Sequence, residues 1–425
     1  SLNILNHLTG QLEEYILSNS SNENIIKLRY NALDKFLQHG FPKSNLENYR
    51  FTNLFKLNKL KFNLPKNGTN KQKPSSSKNE YPVLQFIDGQ FSKELSSVPN
   101  FITVENVLNK EEHFQPSHAV KYDSSSNPFA YLNSAFMNVG YFIKITKSFD
   151  LPIIIESKMT KKSDNLMIHP KFIIKTSNNV DATVYESYLG ENTFYLNNVS
   201  TDFILGNNSH IKHYRSQLES DKAYHIANSN YNISKDASIH STQIILGSLL
   251  HRHDINVILS GENANIDLNG LCLIKNSQHF DHNVIFDHAR AYVTSKMLFK
   301  YILSDKSSGV FNGRALVRED SQKIDSIQTN NNLILSDKSI MNSNPQLEIY
   351  ADDVKCTHGS TTGQLDLDAL FYLRSRGLDI LAAKSILING FANEIISEIS
   401  NENFKSKFTK HLEEWLQKIN YISKN

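Results

Sequence analysis

A short pattern returns along the middle of the chain at almost constant spacing. Asp181-Ala-Thr-Val184, Asn208-Ser-His-Ile211, Asp236-Ala-Ser-Ile239 and Asn263-Ala-Asn-Ile266 each set a turn residue and two small or polar residues before a β-branched one. The closing residue recurs at Val184, Ile211, Ile239, Ile266 and then Val293, in steps of 27, 28, 27 and 27 residues. A period of this length marks stacked repeats, each too small to bury its own apolar face. Runs of four to six residues, such as Pro152-Ile153-Ile154-Ile155 and Asn256-Val257-Ile258-Leu259, alternate here with turn residues. From Tyr81 to Pro345 no helix of any length is expected. A right-handed parallel β-helix meets these conditions, with the β-branched residues stacked inward from coil to coil. A β-sandwich would instead show turns every 8–12 residues and no steady 27-residue step.

The flanks read differently. Residues 1–60 carry helical stripes, Leu8, Leu12, Tyr15 and Ile16, then Ile26, Tyr30, Leu33 and Leu37, with Gly40 and Pro42 stopping the second helix. The segment FPKSNLENYRFTNL (41–54) follows, and Phe41, Tyr49, Phe51 and Phe55 are expected to pack on the core. Residues 61–80 have a linker's composition. The β-helix is assigned to 81–361 and a C-terminal helical domain to 362–425. That domain begins with a stripe of Leu367, Leu370, Phe371 and Arg374 ending at Gly377, with the apolar residues filling its core. Helices over Asp379–Ile388, Phe391–Ile399 and Asn403–Ile419 follow, the first of these broken from the next at Gly390. Paired asparagines, including Asn330-Asn331-Asn332, are expected at turns.

Composition narrows the chemistry. The 425 residues hold 45 lysines and arginines against 43 acids, a net charge of +2, so nucleic acid is not an expected partner. Two distant cysteines give no disulfide framework. The N-terminal stretch SLNILNHLTGQLEEYIL lacks a basic start and an unbroken apolar run, and no run of about 18 apolar residues occurs. A cytoplasmic protein with no membrane partner is expected. No phosphate loop, dinucleotide fingerprint, CxxC pair, HExxH or nucleophile elbow is present. The chain therefore has no visible means of hydrolysing ATP.

Ligating residues are few. Cys356 and His358 alternate along an expected strand and share a face, offering two donors where a tetrahedral metal needs four. A cation such as Lys355 near Cys356 would favour its thiolate. Cys272, inside Leu271-Cys272-Leu273-Ile274, reads as a small buried hydrophobe. His251 and His253 share a strand face, as do His279 and Asp281, with His282 opposite. These imidazoles are expected to hydrogen-bond along the solenoid surface or line a partner contact rather than build a metal site.

Taken as a set, FNGRALV (311–317), QTNNNLILSDKSIMNSNPQLEIYADDVKCTHGSTTGQLD (328–366), LFYLRSRG (370–377) and QHFDHNVIFDH (278–288) with Ser295 and Lys300 resemble the SufB/SufD family of iron–sulfur cluster assembly proteins. The resemblance covers most of the chain. VKCTHG matches the SufD form, and the extra cysteines and ECR-like and HEA-like motifs of SufB are absent. It implies a non-catalytic scaffold that pairs with SufB through its β-helix and docks the ATPase SufC on its C-terminal helices. Motif match places Cys356 and His358 at a cluster-assembly site shared with SufB. SufC docking is expected over Leu370, Phe371, Tyr372, Arg374, Arg376 and Gly377. No cofactor is expected to stay on the isolated chain, a transient iron–sulfur cluster forming only in the complex. A homodimer of the isolated chain is the alternative pairing. The competing readings are a SufB-like scaffold and a carbohydrate-active solenoid using Asp267, Asp281 and Asp287.

Overall fold

The computed structural model describes residues 2–18, 22–65, 81–107 and 127–419. Strands make up 44% and helices 24% of it, arranged as a β-solenoid of about eight turns with helices at both termini. From Ile153 onward the chain alternates between two parallel sheets. The first sheet runs through Ile153–Met159, Asp181–Gly190, His210–Leu218, Ser238–Ile245, Asn265–Ile274, Thr294–Leu303 and Ile324–Ile334, and ends at Val354–Gly363. The second runs from Val139–Ile145 through Pro170–Thr176, Tyr195–Ile204, Tyr224–Ile233, Leu250–Leu259 and His279–His288 to Ser308–Val317, and ends at Ile340–Ile349.

The parallel β-helix expected from the period is present, with a correction to its first and last steps. Ile211, Ile239 and Ile266 lie side by side, but the ladder begins at Ala182 and continues through Ser295 and Ser326 to Cys356. Val184 instead neighbours His213. Val293 precedes the strand whose Ser295 extends the ladder. Both are buried. A shift of two residues keeps a side chain on the same face, so alternation could not expose the slip. The corners repeat more faithfully. Asn179, Asn208, Asp236 and Asn263 all have positive φ. Side-chain bonds link Asn208 Nδ2 to Asn179 Oδ1 and Asn263 Nδ2 to Asp236 Oδ1, both at 2.8 Å. The triple Asn330-Asn331-Asn332 is not a turn: Asn330 and Asn332 are buried within a strand and bonded to each other.

The apolar runs are continuous because the first sheet is covered on both faces. Cys272 and Ile274 enter the interior core, while Leu271 and Leu273 face the C-terminal helices. Those helices are α4 (Leu367–Ser375), α5 (Ile380–Ile396) and α6 (Glu402–Lys418). Gly390 does not break α5, which runs through it. Phe404, Phe408, Leu412, Trp415 and Leu416 of α6 join Tyr185, Tyr214 and Ile244 of the sheet in one cluster. Lys300 anchors α5, donating to the Phe391 carbonyl at 3.0 Å and pairing with Glu394.

Three earlier helices cover the second sheet: α1 (Leu2–Ser18), α2 (Glu23–His39) and α3 (Pro128–Phe136). The third was not expected from sequence. Its end carbonyls Ala135 and Met137 accept from buried Arg29 at 2.8 and 2.7 Å, which explains a buried arginine in the second helix. That helix buries Ile25, Arg29, Ala32, Leu33 and Phe36, leaving Tyr30 exposed, so its inner face is rotated from the predicted stripe. Phe62 and Leu64, within the expected linker, are buried, and 66–80 lie outside the described residues. Tyr49 is buried as expected, but Phe51 and Phe55 are exposed. No helix among the described residues is long and apolar enough to cross a membrane.

Candidate functional site at the last turn

Cys356 and His358 sit two residues apart on the strand Val354–Gly363, which closes the first sheet. Their register partners are Ser326 and Gln328, both buried and both continuing interior ladders. The pair therefore extends inward-facing positions. It is accessible because no further strand pairs with that edge among the described residues. Cys356 is half-buried against the end of the interior core, and His358 is exposed. Burial, and then the charge of Asp325, push the Cys356 thiol up rather than down. Lys355 therefore does not produce the thiolate that a neighbouring cation was expected to favour.

Across the opening, the strand Ile340–Ile349 is the matching edge of the second sheet. Ser360 Oγ donates to Ser343 Oγ at 2.7 Å, tying the two edges together. Ile340, Ile349 and Tyr350 are exposed there. The N-terminal segment reaches this rim, since Gln346 Nε2 donates to Glu47 Oε1 at 3.3 Å. Two donors on one strand cannot complete the four protein ligands of an iron–sulfur cluster. By themselves the two residues do not make a complete site.

Helix α4 follows the last strand directly. Asp366 caps its start by accepting from the Asp368 and Ala369 amides, and Gly377, with φ of 92°, ends it in the left-handed region. None of its residues is buried. Leu367 and Phe371, expected to fill a helical core, are each 75% exposed, and Tyr372 is exposed beside them. Leu370 is half-buried and lines a shallow groove with Ile334, Leu335, Leu365 and Lys384. Arg374 is exposed, and the Arg376 guanidinium lies 5.2 Å from the Tyr372 ring centre. Sequence periodicity found this helix but turned its apolar face the wrong way, because a stripe does not say whether its cover lies on the same chain.

Three of the singled-out histidines are not on the surface. His251, His253 and His282 are buried inside the solenoid, with His225 stacked on His251. Glu186, also inside, accepts from Tyr188, Thr201, His213 and Arg215 at 2.5 to 3.1 Å. Burial works to raise its carboxyl, but Arg215 and His213 outweigh that and hold it at about 2. Sequence reading missed this polar file. Its signal was the alternation His251-x-His253 within otherwise apolar strands. Asp281 faces outward, where Arg252 binds it and Thr52 donates to it. Arg252 also pairs with Asp254 at 2.5 Å, donates to the Asn48 carbonyl at 2.8 Å, and lies 4.4 Å from the Tyr49 ring centre. Asp287 is held by Arg318. Asp281 and Asp287 are six residues apart on one strand, about 20 Å, and Asp267 is on the other sheet. The paired carboxylates of a glycosidase are not assembled.

Residues 159–391 match the family described as SUF system FeS cluster assembly, SufBD core domain. The chain is 29% identical over 411 residues to an iron–sulfur cluster assembly SufBD family protein of Synechocystis, covering 91% of this chain and 90% of that one. It is 32% identical over 240 residues to the iron–sulfur cluster assembly protein SufD of Escherichia coli, covering 56% of this chain and 57% of that protein. SufD of Plasmodium falciparum is 26% identical over 319 residues, 74% of this chain and 21% of the relative. With the matched core spanning more than half its length, the chain belongs to the SufBD family of iron–sulfur cluster assembly proteins and is SufD-like within it.

Proposed function

We propose that the protein is a non-catalytic, cytoplasmic scaffold subunit of a SUF assembly complex. It pairs with SufB through the last turn of its solenoid and binds SufC through α4. The observation that carries this reading is the uncovered last turn, where two strand edges frame Cys356 and His358. A second solenoid ending in a similar turn would satisfy those edges and supply the missing ligands. The cluster is cargo: Cys356 and His358 give two of its ligands, and SufB gives the others. The exposed Leu367, Phe371 and Tyr372 beside Arg374 and Arg376 have the apolar-plus-arginine character of an interface centre.

Acid-labile sulfide in the reconstituted three-protein complex tests this directly. Cys356→Ala and His358→Ala should each lower cluster yield while leaving folding and both subunit contacts intact. Wild-type sulfide content in the double variant would remove the pair from the mechanism and leave an architectural subunit.

A further inference from the structure

The interior histidines hold a feature that cluster assembly at the last turn does not use. His251, His253 and His282 each offer a ring nitrogen, and these atoms lie within 4.8 Å of one another. Four buried nitrogens have no partner: both on His251, Nδ1 on His253 and Nε2 on His282. Buried polar atoms are ordinarily satisfied, and a group of orphans on three neighbouring imidazoles calls for an occupant.

The outer nitrogens are held. His282 Nδ1 lies 2.7 Å from Tyr301 Oη, which itself donates to the Val310 carbonyl at 3.0 Å. Tyr301 has therefore used its only proton, so His282 carries its own on Nδ1 and leaves a lone pair on Nε2. His253 Nε2 sits 2.8 Å from Ser229 Oγ, and a proton there leaves the lone pair on Nδ1. A metal-binding imidazole is oriented in this way, with its far N–H given to a second partner. His225 is excluded as a ligand: its Nδ1 lies 2.5 Å from Glu219, and Arg215 donates to its Nε2 at 2.8 Å.

We infer that His251, His253 and His282 form a binding site for one divalent first-row transition-metal ion inside the solenoid, separate from Cys356 and His358. Burial depresses all three imidazoles, His282 to about 3, so each is neutral with its lone pair free at neutral pH. Three neutral nitrogens without a carboxylate or thiolate suit Zn2+, Fe2+ or Co2+ rather than Mg2+ or Ca2+. Cys272 Sγ is 3.9 Å from the outer nitrogen of His282, and burial keeps it a thiol, so sulfur stays outside the first shell. The fourth position is left for water. Outside the wall, Arg252 and Asp281 on the same two strands are clamped by Asn48 and Thr52, which fixes the ligand-bearing backbone.

The test uses the full chain, stripped of metal by chelator in denaturant and refolded with Co2+, Zn2+ or anaerobic Fe2+, since a buried site fills as the solenoid closes. One ion per chain is expected to survive gel filtration. X-ray absorption should show a nitrogen/oxygen first shell with imidazole scattering and no sulfur. The metal-loaded wild type should melt at higher temperature than the metal-free protein. His251→Gln with His253→Gln should abolish retention, whereas Cys356→Ala with His358→Ala should not. Folded wild type holding no ion, sulfur in the first shell, or retention lost only in the Cys356/His358 double variant would each overturn the proposal. The absorption measurement needs no variant, so a histidine substitution that prevents folding does not remove the test. An interior ion brings no sulfide, so this outcome is independent of the last-turn assay.

Discussion

The two ends of the solenoid are finished in opposite ways. At the N-terminal end both sheets reverse direction: Gln90–Phe91 runs antiparallel to Val83–Ile87, and Ile102–Asn106 antiparallel to Val139–Ile145. Phe86, Phe91, Tyr141 and Phe172 fill the mouth behind them, with ring centres 5.0 to 5.6 Å apart. These short reversed strands interrupt the parallel coil and leave little edge for a further turn. At the C-terminal end two ten-residue strands remain parallel, and no element covers them among the described residues. Their unpaired amides and carbonyls are a template for a further strand. The difference teaches that one end is built to terminate the fold and the other to be continued.

One ladder runs from the protected middle to the open end, so one substitution can be read at two depths. Ile239→Asp places an unpaired carboxylate among Ile211, Ile266 and the core, and should cost more than about 5 kcal/mol, enough to prevent folding. Cys356→Asp, at the same ladder position beside solvent, should cost under about 1 kcal/mol. Equal losses in denaturant titrations would show that the last turn is not open.

The next largest effect is expected where the N-terminal segment locks the solenoid wall. Arg252→Ala strands the Asp254 and Asp281 carboxylates and removes the cover on Tyr49, for a loss of about 3–5 kcal/mol. Near-wild-type stability would mean that the strap does not reinforce the middle turns.

Acid should attack the interior rather than the open end. Burial holds His169 and His282 at about 3, below their ordinary value of 6.5, and also depresses His251 and His253. Between those values the unfolded chain binds protons that the folded chain does not, so stability falls with pH from about 6.5 downward. Glu186 adds a second loss between 4.5 and about 2, as its depressed carboxyl is finally protonated. Melting temperature against pH should show this slope in metal-free protein. His282→Phe should flatten it; Cys356→Ala should leave it unchanged.

The smallest effect on stability is expected on α4. Phe371→Ala should change it by less than about 0.5 kcal/mol, because the ring is 75% exposed, yet SufC capture by the protein should weaken several-fold. A large loss of stability would mean that the ring packs within its own chain.

Much of this organisation was legible from residue order. The repeat fixed the solenoid because only stacked turns bury a face at that spacing, and helical spacing located Phe404, Phe408, Leu412, Trp415 and Leu416 as one buried stripe. Parity placed Cys356 and His358 on a common face. What parity cannot say is which face is inside, since alternation is the same seen from either side. Tertiary structure alone decided that His251, His253 and His282 turn inward while Asp281 turns out to Arg252. It also decided that Val184 lies one inward position beyond the ladder, because a two-residue slip preserves every face. Helical periodicity likewise drew an apolar stripe on α4 and on α6 alike; the sheet covers one and leaves the other to solvent. Local pattern records which side chains travel together, and only the packed chain determines what they meet.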